Sequence, residues 1–190
     1  VNEHRTELLR NSILFALLVA IGVAGRWGQP QWCFTPTAAA AIFAGWYFSR
    51  LAAAIAVPIA ILAVSDLLLP AHDSLPVMLI TYAVMTLPVW FGRGLRNTQG
   101  TWSSAWRWIV CGIMPASLFY VVTNFAVWAF QSDYQKSWAG LVQCYCAAVP
   151  FYRWMLAGDL FYLAILFGAS ALAGLPVASF KQKAPETIKR

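Results

Sequence analysis

Along this chain apolar residues come in long unbroken runs, and polar residues collect in short stretches between them. In a bilayer such runs are helical, because only a helix satisfies its own backbone without water. The pattern predicts helices over about Asn11 to Gly25, Thr35 to Ser49, Leu51 to Leu69, Leu75 to Phe91, Ser104 to Phe130 and Phe151 to Ala173. The run from Pro36 to Leu69 is nearly continuous. As one helix it would be about 50 Å long, against a hydrocarbon core of ~30 Å, so it breaks at Ser49–Arg50. The second helix is short, roughly 22 Å, and either starts earlier or lies beneath a thinned surface. Thr35 is its candidate N-cap, with Pro36 at the first helical position. Pro115 is expected to kink the fifth helix. Gln131 to Val149 is too polar and too short to span. It reads as a surface loop followed by an interfacial or re-entrant helix, with Pro150 breaking the chain before the last span. Gly92 to Ser103 is the longest loop, and it and the tail after Ala178 are expected to be the most mobile parts. The expected fold class is all-α: one integral-membrane domain over 1–190, a six-helix bundle with a short interfacial helix between helices 5 and 6 and a basic tail at 179–190.

Composition strengthens this reading. The chain is 61% hydrophobic and 11% charged, with a mean hydropathy of +0.64, where a soluble domain carries about 25% charged residues. The net charge of +6 does not point to nucleic acid, since the basic residues flank apolar runs, where they orient a membrane protein. With the N-terminus inside, Arg5, Arg10, Arg50, Arg93, Arg96, Arg107, Lys181, Lys183, Lys189 and Arg190 lie on the cytoplasmic side. Only Arg26, Lys136 and Arg153 lie outside. Ten against three predicts both termini in the cytoplasm. The ten tryptophans cluster at the expected helix ends, as an aromatic belt does. The N-terminus imitates a signal peptide, but Arg26 and Trp27 follow its apolar run, and the segment is expected to be retained.

The candidate chemistry is a set of polar residues inside apolar segments. A side chain that stays charged in hydrocarbon costs about 2.5–3.5 kcal/mol by insertion scales, so such residues turn to a bundle interior or a wet cavity. Asp66 lies near the outer end of helix 3, and Thr35 and Thr37 open helix 2 on the same side. Thr123 and Asn124 lie about 10 Å below the outer end of helix 5, and Asp159 about 13 Å below Phe151. Arg153 opens helix 6. The set shares the outer half and predicts an outward-facing binding site. Asp66, Asn124, Tyr145, Arg153 and Asp159 are its substrate-binding residues, with Trp128 and Tyr152 as walls. The bland alternative is a set of interhelical clamps, Asp66 or Asp159 pairing with Arg153. Asn124 is the expected neighbour of Asp159. His72 and Asp73 near Asp66 make a weak case for a metal, and none is expected. Cys111 reads as a core residue, while Cys33 faces the same side as Cys144 and Cys146, leaving a disulfide open. Ala16, Ala20 and Ala24 on helix 1, and Ala52, Ala56 and Ala60 on helix 3, form small-residue stripes. Ordinary internal packing explains them first, a partner-docking face second. No nucleotide-binding glycine loop and no Ser/His/Asp arrangement is recognisable, so neither an enzyme nor a cofactor is expected.

FTPTAAAAIFAGWYF, AVSDLLL, VVTNFAVWA and CYCAAVPFYRWMLAGDLFYLAILFG together resemble an uncharacterised bacterial family of six-helix membrane proteins labelled as transport proteins. That family is similar in plan to the substrate-binding S components of energy-coupling-factor transporters. The resemblance implies a bacterial inner-membrane subunit that captures a small molecule from the outer face. It also implies a transmembrane coupling subunit and ATPases docking on helices 1 and 3. No vitamin-specific motif is visible, so the ligand's identity does not carry over. The alternative is a structural or accessory subunit of a larger membrane complex.

Overall fold

The computed structural model describes residues 2–70, 73–96 and 101–174, with side chains for 4–70, 73–96 and 106–174. The described residues are helical, with no strand. The helices are α1 (Asn2–Trp27), α2 (Thr37–Tyr47), α3 (Leu51–Ser65), α4 (Leu75–Thr86), α5 (Pro88–Leu95), α6 (Thr101–Phe130) and α7 (Trp138–Leu172). α4 and α5 form one rod, since Leu87 between them keeps right-handed helical angles. Pro88 has no N–H to bond Val84, and that gap divides the rod. Four stretches are long and apolar enough to cross a membrane: His4–Trp27, Leu75–Leu95, Trp106–Phe130 and Trp138–Leu172.

α2 is the centre of the bundle. Every residue from Thr37 to Tyr47 is buried except Trp46. TAAAAIFAGWY is apolar all round, the mark of a helix enclosed on every side. Its small residues let neighbours come close. A Cβ at Gly45 would lie 2.0 Å from the Val89 carbonyl oxygen, and one at Gly92 would lie 1.9 Å from that of Ile42. The α2 and α5 backbones therefore touch. Phe43 and Trp46 meet Phe167 of α7 at ring separations of 5.1 Å each, and Trp108 of α6 meets it at 4.7 Å. Trp46 and Trp108 thus pack within the bundle as well as marking its end.

Three expectations are corrected. First, no separate interfacial helix lies between the last two helices among the described residues: α7 runs without interruption through Pro150. Its N-cap is Ser137, whose Oγ accepts the Gly140 N–H at 3.2 Å. The N-terminal half of α7 is tied to α6, where Tyr120 Oη donates to the Tyr145 carbonyl at 2.7 Å and Tyr145 Oη to that of Val121 at 2.6 Å. Those ties offset the hydrogen bond Pro150 removes, a loss proteins tolerate in membrane helices. Second, Gly92 to Leu95, expected in a loop, continue α5 because Gly92 is needed against α2. Third, Thr35 does not cap α2. Pro36 holds the cap position without a side-chain bond, and Thr35 Oγ1 donates to Thr37 Oγ1 at 3.3 Å. The tail after Ala178 and His72 lie outside the described residues.

Candidate functional site

α2 begins well inside the bundle, so the connector 28–36 must fold inward from α1 to reach it. Pro36 packs on Gly25, where a Cβ would sit 2.4 Å from the proline ring. Phe34 packs in tilted contact against Phe161 and Tyr162 of α7, both at ring separations of 5.6 Å. The backbone of Phe34 and Thr35 lies 3.1 Å from where a Cβ at Gly158 would stand. Cys33 adopts φ +70°, a left-handed turn that is uncommon without glycine. The connector thus becomes a floor, and above it lies a cavity of roughly 330 Å³.

Thr35 and Thr37 line this cavity from the floor, Arg26 and Gln29 from α1 and the connector, Asp66 from the end of α3, and Thr81 from α4. Trp32, Leu62, Met85, Phe119 and Met155 give it apolar walls. Asp66 is its electrostatic hinge. Its Oδ1 accepts Arg26 Nη2 at 2.9 Å, and its Oδ2 accepts the Tyr82 hydroxyl at 2.9 Å. The Arg26 and Asp66 side chains are 17% and 18% exposed, so the pair is half-shielded from water while still reaching the cavity. Trp27 Nε1 donates to the Ser65 carbonyl at 3.0 Å, a second tie between α1 and α3 at the same end. A smaller cavity of roughly 160 Å³ shares Cys33, Phe119 and Met155 with it, and Tyr120, Thr123, Asn124 and Tyr152 are among its other lining residues.

Residues 6–183 match a family described as a "Family of unknown function (DUF6580)". The chain belongs to DUF6580. Neither a curated protein nor a solved structure matches it. Membership accords with the resemblance to an uncharacterised family, and brings no transport activity with it.

Of the five residues expected to bind substrate, the DUF6580 structure brings two to these cavities. Asp66 lines the larger and Asn124 the smaller. Asn124 does not reach Asp159; its Nδ2 donates to the Tyr120 carbonyl at 2.7 Å, within its own helix. Tyr145 ties α6 to α7 and lines neither cavity. Arg153 is exposed and makes no ion pair among the described residues, so the expected partnership with Asp66 or Asp159 is replaced by Arg26–Asp66. Asp159 is 2% exposed, and its Oδ2 has no hydrogen-bond partner among the described residues. It lies beside Gly158, where the connector presses on α7. Of the expected walls, Tyr152 lines the smaller cavity, while Trp128 Nε1 bonds the Gln135 carbonyl at 2.9 Å in the turn before α7.

Sequence reasoning missed Arg26, Tyr82, Gln29 and Thr81. Arg26 carried a signal: it follows an apolar run and falls at the same end as Asp66, yet it reads as a topogenic charge. Cys33 gains importance because both cavities meet at it. Burial pushes its thiol pKa up, and the nearby Arg26 charge partly offsets the shift. The four cysteines are free, and no group of metal-ligating side chains forms among the described residues.

Proposed function

We propose that this DUF6580 protein is a membrane-embedded subunit that captures a small molecule from the outer face of a bacterial inner membrane, in the manner of an energy-coupling-factor S component. The observation that carries the reading is the cavity above the connector. Its volume is within the range of small-molecule sites, about 300–1,000 Å³. Its lining is mostly apolar, with a few converging polar groups, Asp66, Arg26, Thr35 and Thr37, to fix orientation. The distribution of basic residues, ten on one side against Arg26 and Lys136 on the other with Arg153 now within α7, supports an outward direction for this end. Ala16, Ala20 and Ala24 are exposed along α1, which supports a partner docking there, such as a coupling subunit with its ATPases.

The ligand is a compact, mostly apolar molecule with a few hydrogen-bonding groups. Because Arg26 and Asp66 neutralise each other, the cavity favours no net charge. The second reading is an accessory subunit of a larger membrane complex, favoured by Asn124 and Tyr145, whose side chains are spent on bonds within the bundle. Mass spectrometry of small molecules co-purifying with the protein separates the two. A species retained by the natural chain and lost from Thr81→Phe, which fills the cavity, is the expected result, with the melting temperature of the two chains similar. Identical small-molecule content in both would favour the accessory role.

A further inference from the structure

The end of the bundle opposite the cavity carries a groove between α5 and α6. Trp90, Phe91, Gly94, Trp106 and Val110 line it, Arg107 stands among them, and its volume is roughly 430 Å³. Trp90 and Trp106 are 47% and 66% exposed. The space beside Gly94 is open, since a Cβ there would meet nothing within 4 Å.

The arginines at this end of the bundle are held by backbone carbonyls. Arg107 Nη1 donates to the Gly94 carbonyl at 2.8 Å. Arg93 Nη2 donates to the Ser49 carbonyl at 2.8 Å. Arg96 Nε donates to the Trp46 carbonyl at 2.8 Å, and its Nη2 to that of Phe48. Backbone carbonyls orient a guanidinium without neutralising it. Among the described residues the one ion pair is Arg26–Asp66, at the other end of the molecule. Arg96 registers the crowding: burial, together with the Arg93 charge beside it, lowers its pKa from the ordinary value. Arg107 is the cation in the groove lining, while Arg93 and Arg96 turn toward the C-terminal end of α2, so the Arg107 charge beside the aromatic groove is left to be balanced from outside the chain.

We propose that this groove binds an anionic phospholipid of the cytoplasmic leaflet, its phosphate at Arg107 and its acyl chains between Trp90 and Trp106. The proposal rests on the membrane orientation given above and is independent of ligand capture. Charge complementarity selects the headgroup: each Lys or Arg near an anionic surface contributes about 1 kcal/mol, and a guanidinium matches phosphate geometry. Indole rings settle at headgroup depth. A soluble phosphate would leave Trp90, Phe91 and Val110 without a partner, whereas a lipid covers both halves of the site.

The test uses the full chain in phosphatidylcholine vesicles carrying a minor, equal fraction of brominated phosphatidylglycerol or brominated phosphatidylcholine, with tryptophan emission as the readout. Brominated phosphatidylglycerol is expected to quench more, and Trp106→Phe to remove part of the quenched emission. Arg107→Gln is expected to weaken the preference roughly fivefold, the equivalent of about 1 kcal/mol at 1.4 kcal/mol per tenfold. Gly94→Leu fills the groove and is expected to abolish the preference. Circular dichroism checks that each variant is folded, and either folded variant suffices. Equal quenching by the two lipids would overturn the proposal, as would a preference left unchanged in either folded variant. So would a preference abolished by added inorganic phosphate, which would mark a soluble-anion site instead.

Discussion

Asp66 gathers three helices with one carboxylate, because Arg26 comes from α1 and Tyr82 from α4. A carboxylate at the end of an apolar helix has to find such partners or remain wet. Its importance was legible in the sequence. The identity of its partner was not, because an arginine after an apolar run has an equally good explanation as a topological signal. Cys33 was legible only as a thiol on the outer side; its place between two cavities depends on a backbone turn that no residue type announces. Its chemistry is testable. Burial raises its pKa, so less thiolate is present at neutral pH than for an ordinary cysteine, and the thiolate is the reacting species. Alkylation by a maleimide should therefore be slow at Cys33 relative to the exposed Cys146, and should keep accelerating as pH rises beyond the usual thiol range. Peptide mass spectrometry of each site across a pH series checks this, and equal rates at neutral pH would contradict it.

At the scale of elements, the apolar runs placed α3, α4, α6 and the second half of α7 to within about a turn, whereas α1 begins at Asn2, well before the expected Asn11. Failures came where a local rule was outweighed by packing. Pro150 and the polar residues before it read as a break, but Ser137 caps a helix there and two tyrosines bind it to α6. Gly92 and Gly94 read alike as loop residues, and the structure gives them opposite surroundings. This difference yields a paired test by thermal melting in detergent. Gly92→Ala forces a methyl group into the α2 backbone and should destabilise by about 3 kcal/mol, the upper range for overpacking. Gly94→Ala meets open space and should be neutral or stabilising by up to about 1 kcal/mol, from helix propensity. Similar melting temperatures for both variants would mean that the close crossing of α2 and α5 is absent.

For the whole molecule, all-helical architecture was legible from hydropathy alone, whereas the arrangement was not. The Cys144 to Gly168 segment draws the eye in the sequence because it is apolar and carries Arg153 and Asp159. The organising element is instead α2, whose alanines looked featureless. Periodicity says which residues avoid water, and in a bilayer it does not say which helix the others surround. Orientation is the remaining global property with a direct measurement. In a background where Cys33, Cys111, Cys144 and Cys146 are replaced by alanine, a cysteine at Ser132 should react with an impermeant reagent in intact cells. One at Thr98, outside the described residues, should react only after lysis. The reverse pattern would invert the topology, and with it the outward direction of the cavity.

The central position of α2 also bears on how the protein is made. α2 has 11 residues, about 17 Å of helix at ~1.5 Å per residue, too short to hold a place in lipid by itself. Its closest backbone partner is α5, which leaves the ribosome only after α3 and α4. Until Leu95 has been synthesised, the glycine-bearing face of α2 has nothing to close against. Before α5 is made, the early chain lacks the partner its centre closes on, and how well that interval is protected is expected to set the yield.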